Sequence, residues 1–245
     1  MPIFHLRSVT ASAPAFVSSL RRQRGFTIVE LSVVLVIIGL ILGTVSIAKD
    51  VQRNAVYQRI ASDFVQGWAI AYDRFHDGNG IAPGDTPTAP TGRVAGAANT
   101  ALCGANLIAT MQAAGIAMPE GRTAGSPDRY AYLDSNGNPQ ELRVCFQNVR
   151  WSESGAVPGT FVVRQRNVME LRNVTPALAN MLDSQFDTVV DARFGRLREQ
   201  GQADNTGAAG TTWAVDERTA FGDTLPTALD ESQVAVMQAF LLMSR

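Results

Sequence analysis

The chain is poor in the residues that most enzymes rely on. Among 245 residues there are two His, His5 and His76, a single Lys, Lys49, and two Cys, Cys103 and Cys145. Multi-histidine metal sites and Ser-His-Asp catalysis therefore have almost no raw material. Catalysis by carboxylates or by Cys103 or Cys145 is not excluded by counting. Two cysteines are too few for a small disulfide scaffold. Hydrophobic residues at 46% and charged residues at 18% exclude a disordered composition. No proline occurs between Pro14 and Pro83, and no internal repeat is evident. The net charge of −1 gives no general reason to expect a nucleic-acid partner. That balance conceals a split, because residues 1–25 carry four Arg and no acid. The remainder holds 17 basic against 22 acidic residues, a net −5.

What the sequence has in abundance is one apolar run, FTIVELSVVLVIIGLILGTVSIA, from Phe26 to Ala48. As a helix it would be about 34 Å long, enough for a bilayer core of about 30 Å. Arg21, Arg22 and Arg24 stand just before it. The positive-inside rule then keeps the N-terminus cytoplasmic and puts residues after about 50 on the far side. A secretory signal peptide fits poorly, since its apolar part would be shorter and end at a small-x-small site. Glu30 is the one charge in the run. A carboxylate deep in a membrane costs roughly 2.5–3.5 kcal/mol on insertion scales. Either it sits near the interface and snorkels, or it awaits a cation. No Lys or Arg lies between Phe26 and Ala48, but a cut before Phe26 would create an α-amine at the right depth.

Arg24-Gly25-Phe26-Thr27-Ile28-Val29-Glu30-Leu31 resembles the cleavage and methylation motif of type IV prepilins and of type II secretion pseudopilins. The likeness is close over residues 21–50 and extends along the helix to about residue 76. It implies that a membrane prepilin peptidase cuts after Gly25 and methylates Phe26, and that Glu30 is the carboxylate used in assembly. Two features depart from the family's commonest pattern. The leader of 25 residues is longer than those that usually precede a mature Phe, and the proline often found in the middle of the membrane helix is missing. Gly39 and Gly43 form a GxxxG spacing that permits close helix approach or local flexibility.

Beyond Lys49-Asp50 the chain turns polar without a breaker. Val56, Ile60, Phe64, Trp68, Tyr72 and Phe75 form one apolar stripe of an amphipathic helix. A continuous helix over residues 26–76 would be roughly 75 Å long. Its first half would anchor and polymerise, and its second half would carry a head. His76, near the helix end, reads as a capping or surface residue. Asp77-Gly78-Asn79-Gly80 stops the helix. Pro83-Gly84-Asp85 then opens a surface loop rich in Ala, Gly, Pro and Thr that runs to Thr100.

Residues 77–245 predict an α+β head, a small antiparallel sheet packed on the long helix. Helices are expected over 101–118, from Thr175-Pro176 to about residue 199, and over about 228–244. Strands are expected at 130–134 and 141–146, joined by the Ser135–Asn138 turn, and within 159–171. Cys103 and Cys145 fall on the oxidising side and can form a disulfide; the alternative is two separate buried thiols. Asp183, Asp187 and Asp191 recur every four residues. They read as a solvated acidic face, with a Ca²⁺ site as the rival reading.

The organisation expected is a leader (1–25), a transmembrane and polymerisation helix (26–48), its amphipathic continuation (49–76) and the head (77–245). The function expected is that of a structural subunit of a type IV pilus-type filament, and a mature chain of 220 residues, large for the commonest major pilins, fits a minor one. The nearest alternative is a type II secretion pseudopilin, and the rival from another class is a membrane-anchored periplasmic binding protein or enzyme. The resemblance implies prepilin peptidase, other pilin or pseudopilin subunits and an inner-membrane assembly platform as partners. It implies neither cofactor nor catalytic residue, and the head has no nucleophile-base signature. It implies a single-pass inner-membrane protein with a periplasmic head that then enters a filament.

Overall fold

The computed structural model describes residues 25–123, 125–213 and 236–244. The leader up to Arg24 and the first part of the expected last helix, residues 228–235, lie outside them. The chain forms two compact units, Met1–Ile47 and Ala48–Arg245.

Helix α1 spans Ile28–Arg59. It opens with Thr27, whose carbonyl accepts the first intrahelical bond from the Leu31 N–H at 3.1 Å. Among the described residues no helix is long and apolar enough to cross a membrane. The apolar sequence continues past Gly43, but the side chains of residues 44–50 are outside the described set.

A π-helical turn, Ile60–Val65, follows α1 and leads into α2, Gln66–Asn79. The π turn has a cause in the stripe. Each step of four residues advances about 40° around an α-helix, so the run Val56–Ile60–Phe64–Trp68–Tyr72 would wind off the sheet. A wider turn brings it back. Ile60, Phe64, Trp68 and Tyr72 are all fully buried as a result. Gly80 ends α2 in the left-handed conformation (φ 69°) and donates its N–H to the His76 carbonyl at 2.7 Å. His76 thus serves the cap through its backbone.

The loop after α2 is tied to its own buried carboxylate. Asp85 accepts the N–H groups of Thr86, Thr91 and Gly92 and the Thr91 hydroxyl. Burial would raise its carboxyl, but these bonds outweigh it and hold the group below its ordinary value. Asn167 clamps the same loop to the sheet, accepting the Val94 N–H and donating to the Gly92 carbonyl.

The remaining elements are β1 (Leu102–Cys103), α3 (Gly104–Ala113), β2 (Arg129–Leu133), β3 (Pro139–Ser154), β4 (Phe161–Val174), α4 (Pro176–Phe186), β5 (Leu197–Glu199) and β6 (Met237–Leu242). The sheet is antiparallel throughout in the order β1-β3-β4-β6-β5, with β2 also on β3. Leu142, Val144 and Phe146 of β3 with Met169 and Leu171 of β4 form its inner face. Trp68 and Tyr72 meet Phe146 there, at ring separations of 6.1 and 5.1 Å. The opposite face carries a second, smaller core of Val149, Trp151, Val168, Phe240 and Ala203. The Arg198 guanidinium lies 4.1 Å above the Trp151 ring and donates to the carbonyls of Ser152 and Ala203.

The architecture is α+β with an antiparallel sheet, and four elements differ from those expected. The helix over 101–118 is confined to Gly104–Ala113, because Leu102 and Cys103 pair with Phe146 and Cys145. Strand β3 runs on to Ser154, paired with β4 across twelve residue pairs. The helix from Pro176 stops at Phe186, where Asp187 is extended (φ −128°, ψ 153°). The expected last helix is instead strand β6 within its described part, and the β4 and β5 edges on its two sides supply its hydrogen-bonding partners.

Candidate functional site

Gly25 and Phe26 precede the first helical turn, and both are exposed. Among the described residues a Cβ at Gly25 would meet nothing within 4 Å, so none of them crowds the backbone at the expected cut. The described apolar side chains from Ile28 to Leu42 are exposed around the whole helix. A Cβ added at Gly39 or Gly43 would likewise meet no other described part of the chain within 4 Å. The single chain thus presents a large apolar surface that a lipid or a partner helix must cover.

Glu30 has a local partner that a search for cations alone misses. Thr27 donates both its N–H (2.9 Å) and its hydroxyl (3.0 Å) to Glu30 Oε2, and the Glu30 N–H donates back to Thr27 Oγ1 at 3.2 Å. This is a capping box, with Thr27 as N-cap and Glu30 at the third helical position. The signal was in the sequence, as Thr-x-x-Glu just before an apolar run. The carboxylate also stands at the positive end of the helix dipole, where a negative charge is favoured. One of its oxygens, Oε1, makes no contact within the box.

Cys103 and Cys145 face each other across β1 and β3 and are joined by a disulfide, with Cα atoms 4.5 Å apart. The bond ties the edge strand β1, and the α3 helix that follows it, to the centre of the sheet. A Glu170 carboxylate oxygen lies within 4.8 Å of both sulfurs. Arg172 engages the Glu170 carboxylate with both ends of a fork, Nε donating to Oε1 at 2.8 Å and Nη2 to Oε2 at 3.0 Å.

Asp183, Asp187 and Asp191 do not share a helical face. Only Asp183 is in α4, in its last turn; Asp187 caps that helix and Asp191 is in the following loop. Each organises backbone. Asp183 Oδ2 accepts from Trp213 Nε1 at 2.6 Å and from the Asp191 N–H at 2.8 Å. Asp187 accepts the N–H groups of Arg196 and Leu197, and Asp191 those of Arg193, Phe194 and Thr211. Among the described residues these carboxylates form no metal-ligand cluster. Asp183 is fully buried, and among the described residues its Oδ1 has no hydrogen-bond partner. Burial first, and then the neighbouring Asp187, push its carboxyl up to about 6.

Neither the curated proteins nor the solved structures include a significant match to the chain. The family described as the prokaryotic N-terminal methylation motif does match, over residues 20–46. That interval holds the Arg-Gly-Phe junction, the capped helix start with Glu30 and most of the apolar run, and by it the chain carries the N-terminal signature of type IV pilins and pseudopilins.

Proposed function

We propose that this chain is a structural subunit of a type IV pilus-type filament and not an enzyme. A prepilin peptidase cuts between Gly25 and Phe26 and the new N-terminus is methylated. The processed chain waits in the inner membrane through residues 26–48, with its head in the periplasm. An assembly platform then moves it into a helical filament of like subunits. The observation that carries this reading is the motif with its exposed Gly25–Phe26 junction beside the capped Glu30.

The capping box refines the role of Glu30. In the unassembled chain, Thr27 shields one oxygen of the carboxylate and so lowers the cost of holding it in the membrane. The Thr27 bonds survive the cut, because the chain before Phe26 contributes nothing to them. On assembly, the α-amine of Phe26 on a neighbouring subunit pairs with the carboxylate, through the oxygen that Thr27 leaves open.

Two variants separate capping from charge. Glu30→Gln keeps a residue suited to the capping box but removes the charge, whereas Glu30→Ala removes both. Both should insert in the membrane and be cut at Gly25. Both should be depleted from sheared fibres, with Glu30→Ala also losing helicity at the N-terminus. The measurements are membrane fractionation, N-terminal sequencing and quantification of the sheared fraction. Normal fibre entry of Glu30→Gln would show that the carboxylate serves the helix cap and not assembly.

A further inference from the structure

Three side chains that bind borderline-soft metals stand in one row across the sheet. Cys103 of β1 lies directly opposite Cys145 of β3, and Cys145 lies directly opposite Glu170 of β4. Directly opposed residues share a face, so all three leave the sheet on the same side. The two sulfurs and a Glu170 oxygen lie within 4.8 Å of one another. Glu170 and Cys145 are buried, whereas Cys103 is half-buried and leaves the row open to solvent at its end. Glu170 is also held in place. The Arg172 fork takes one lone pair on each carboxylate oxygen and leaves others free to bind. Hydrogen bonds of this kind orient the ligating carboxylates of metal sites.

The disulfide is made from two thiols, so every chain passes through a dithiol state first. The two sulfurs then rest in van der Waals contact. That separation is close to the S···S edge of about 3.8 Å that two Zn–S bonds of about 2.3 Å span in a tetrahedron. β1 is an edge strand of two residues, Leu102–Cys103, and can shift slightly to admit an ion between the sulfurs.

We propose that the dithiol state binds one divalent cation of the Zn²⁺ type through Cys103, Cys145 and Glu170, and that metal binding and disulfide formation compete for the same two sulfurs. Binding releases the two thiol protons. The ion is held by two thiolates and a carboxylate, with its fourth position open to water on the Cys103 side. Two positive charges meet three negative ligands, and Arg172 supplies the remaining positive charge. Ca²⁺ and Mg²⁺ do not suit the site, because they call for oxygen ligands. The competing step consumes an oxidant of the disulfide class. One cysteine thiolate attacks it and the other displaces it, so the S–S bond of Cys103–Cys145 forms and the oxidant leaves as two thiols carrying the two protons. Metal blocks this step, since a coordinated thiolate is not free to attack. The inference stands independently of the filament reading.

The test uses the full-length chain in detergent. It is reduced with a phosphine, freed of reductant without air, and titrated with Cd²⁺, whose bonds to thiolate absorb in the ultraviolet. The sequence has no other cysteine, so the absorption reports this pair alone. One Cd²⁺ per chain should bind, added Zn²⁺ should displace it, and the disulfide-bonded chain should show no such absorption. Closure of the disulfide by oxidised glutathione is followed by thiol alkylation and mass spectrometry. With free Zn²⁺ at about ten times its Kd, closure should slow about tenfold. Arg172→Gln, which lets the carboxylate turn, should weaken Cd²⁺ binding by about 10–100-fold, and Glu170→Gln should weaken it further. Circular dichroism of each variant in its disulfide form checks the fold. Should Glu170→Gln not fold, Glu170→Asp, which keeps the charge but shortens the reach, takes its place and should also bind more weakly. Equal Cd²⁺ affinity in wild type and the Glu170 variant would show that two thiols alone hold the ion and would overturn the three-ligand site. No thiolate absorption from the reduced wild type, or closure at an unchanged rate in Zn²⁺, would overturn the proposal as a whole.

Discussion

Asp183→Asn should stabilise the head at neutral pH, and the gain should vanish in acid. Asp183 is fully buried at the end of α4, and among the described residues one of its oxygens has no donor. Its carboxyl titrates near 6 instead of the ordinary 3.8, chiefly because burial penalises the charge and secondarily because Asp187 is close. A group whose folded value is raised favours the folded state while it is protonated. Its contribution is complete below about pH 4 and is lost as pH rises through 6. At pH 7.5 the wild-type head therefore carries an ionised, half-satisfied carboxylate. The shift corresponds to about 3 kcal/mol. Relaxation of the surroundings about the buried charge reduces this, and about 1–2 kcal/mol is the gain expected.

Asparagine suits the site. Its oxygen can accept from Trp213 Nε1 and the Asp191 N–H as Asp183 does, and its amide can donate toward Asp187. For a head of this size the gain equals roughly 2–8 °C in melting temperature. Thermal unfolding of the two full-length proteins in detergent, followed by the fluorescence of Trp213 and its fellow tryptophans, would measure it. The difference between variant and wild type should grow from pH 4 to pH 7 and level off above, and taking the difference cancels the other titrations. A variant less stable at pH 7.5, or a difference independent of pH, would refute the argument.

Three further outcomes follow from the geometry. Cys103→Ser should destabilise the head by roughly 4 kcal/mol, since the disulfide closes a loop between residues 42 apart, and non-reduced digests of wild type should show a cross-linked Cys103–Cys145 peptide pair by mass spectrometry. Gly67→Ala should cost about 1–3 kcal/mol in chemical denaturation because the methyl meets Pro119, whereas Gly39→Ala, with open space around it, should leave unfolding of the monomer unchanged. Gly25→Val should accumulate uncut precursor in the membrane, and N-terminal sequencing should find N-methylated Phe26 in wild type alone.

The N-terminal segment was legible because its information is local. The Arg-Gly-Phe junction, Glu30 and the apolar run are read in order, without reference to anything distant in the chain. Even there one relation is not carried by charge. Glu30 has no cation within the run, while Thr27 three residues earlier supplies two donors. The stripe of aromatic residues likewise gave the buried face of the long helix correctly. Its spacing of four also held the π turn in advance, since four-residue steps cannot stay on one face of a 3.6-residue helix.

The head was harder because its elements are decided by what covers them. In β6, Phe240 packs into the small outer core while Ala239 and Leu241 face the main one. A strand buried on both faces loses the alternation that marks a strand, and Met237, Leu241 and Leu242 then fit a helical period by accident. The aspartates show the same dependence. On the helix expected to residue 199 they would form one solvated acidic face, yet the three carboxylates each hold backbone N–H groups of one irregular loop. Such Asp-to-backbone bonds compete with helix formation, and Gly195, in the left-handed conformation at φ 86°, belongs to the turn they organise. A Cβ at Gly195 would strike the Asp187 carboxylate, 2.4 Å from Oδ2. The glycine, not the acid repeat, was the residue in that stretch that ruled a helix out.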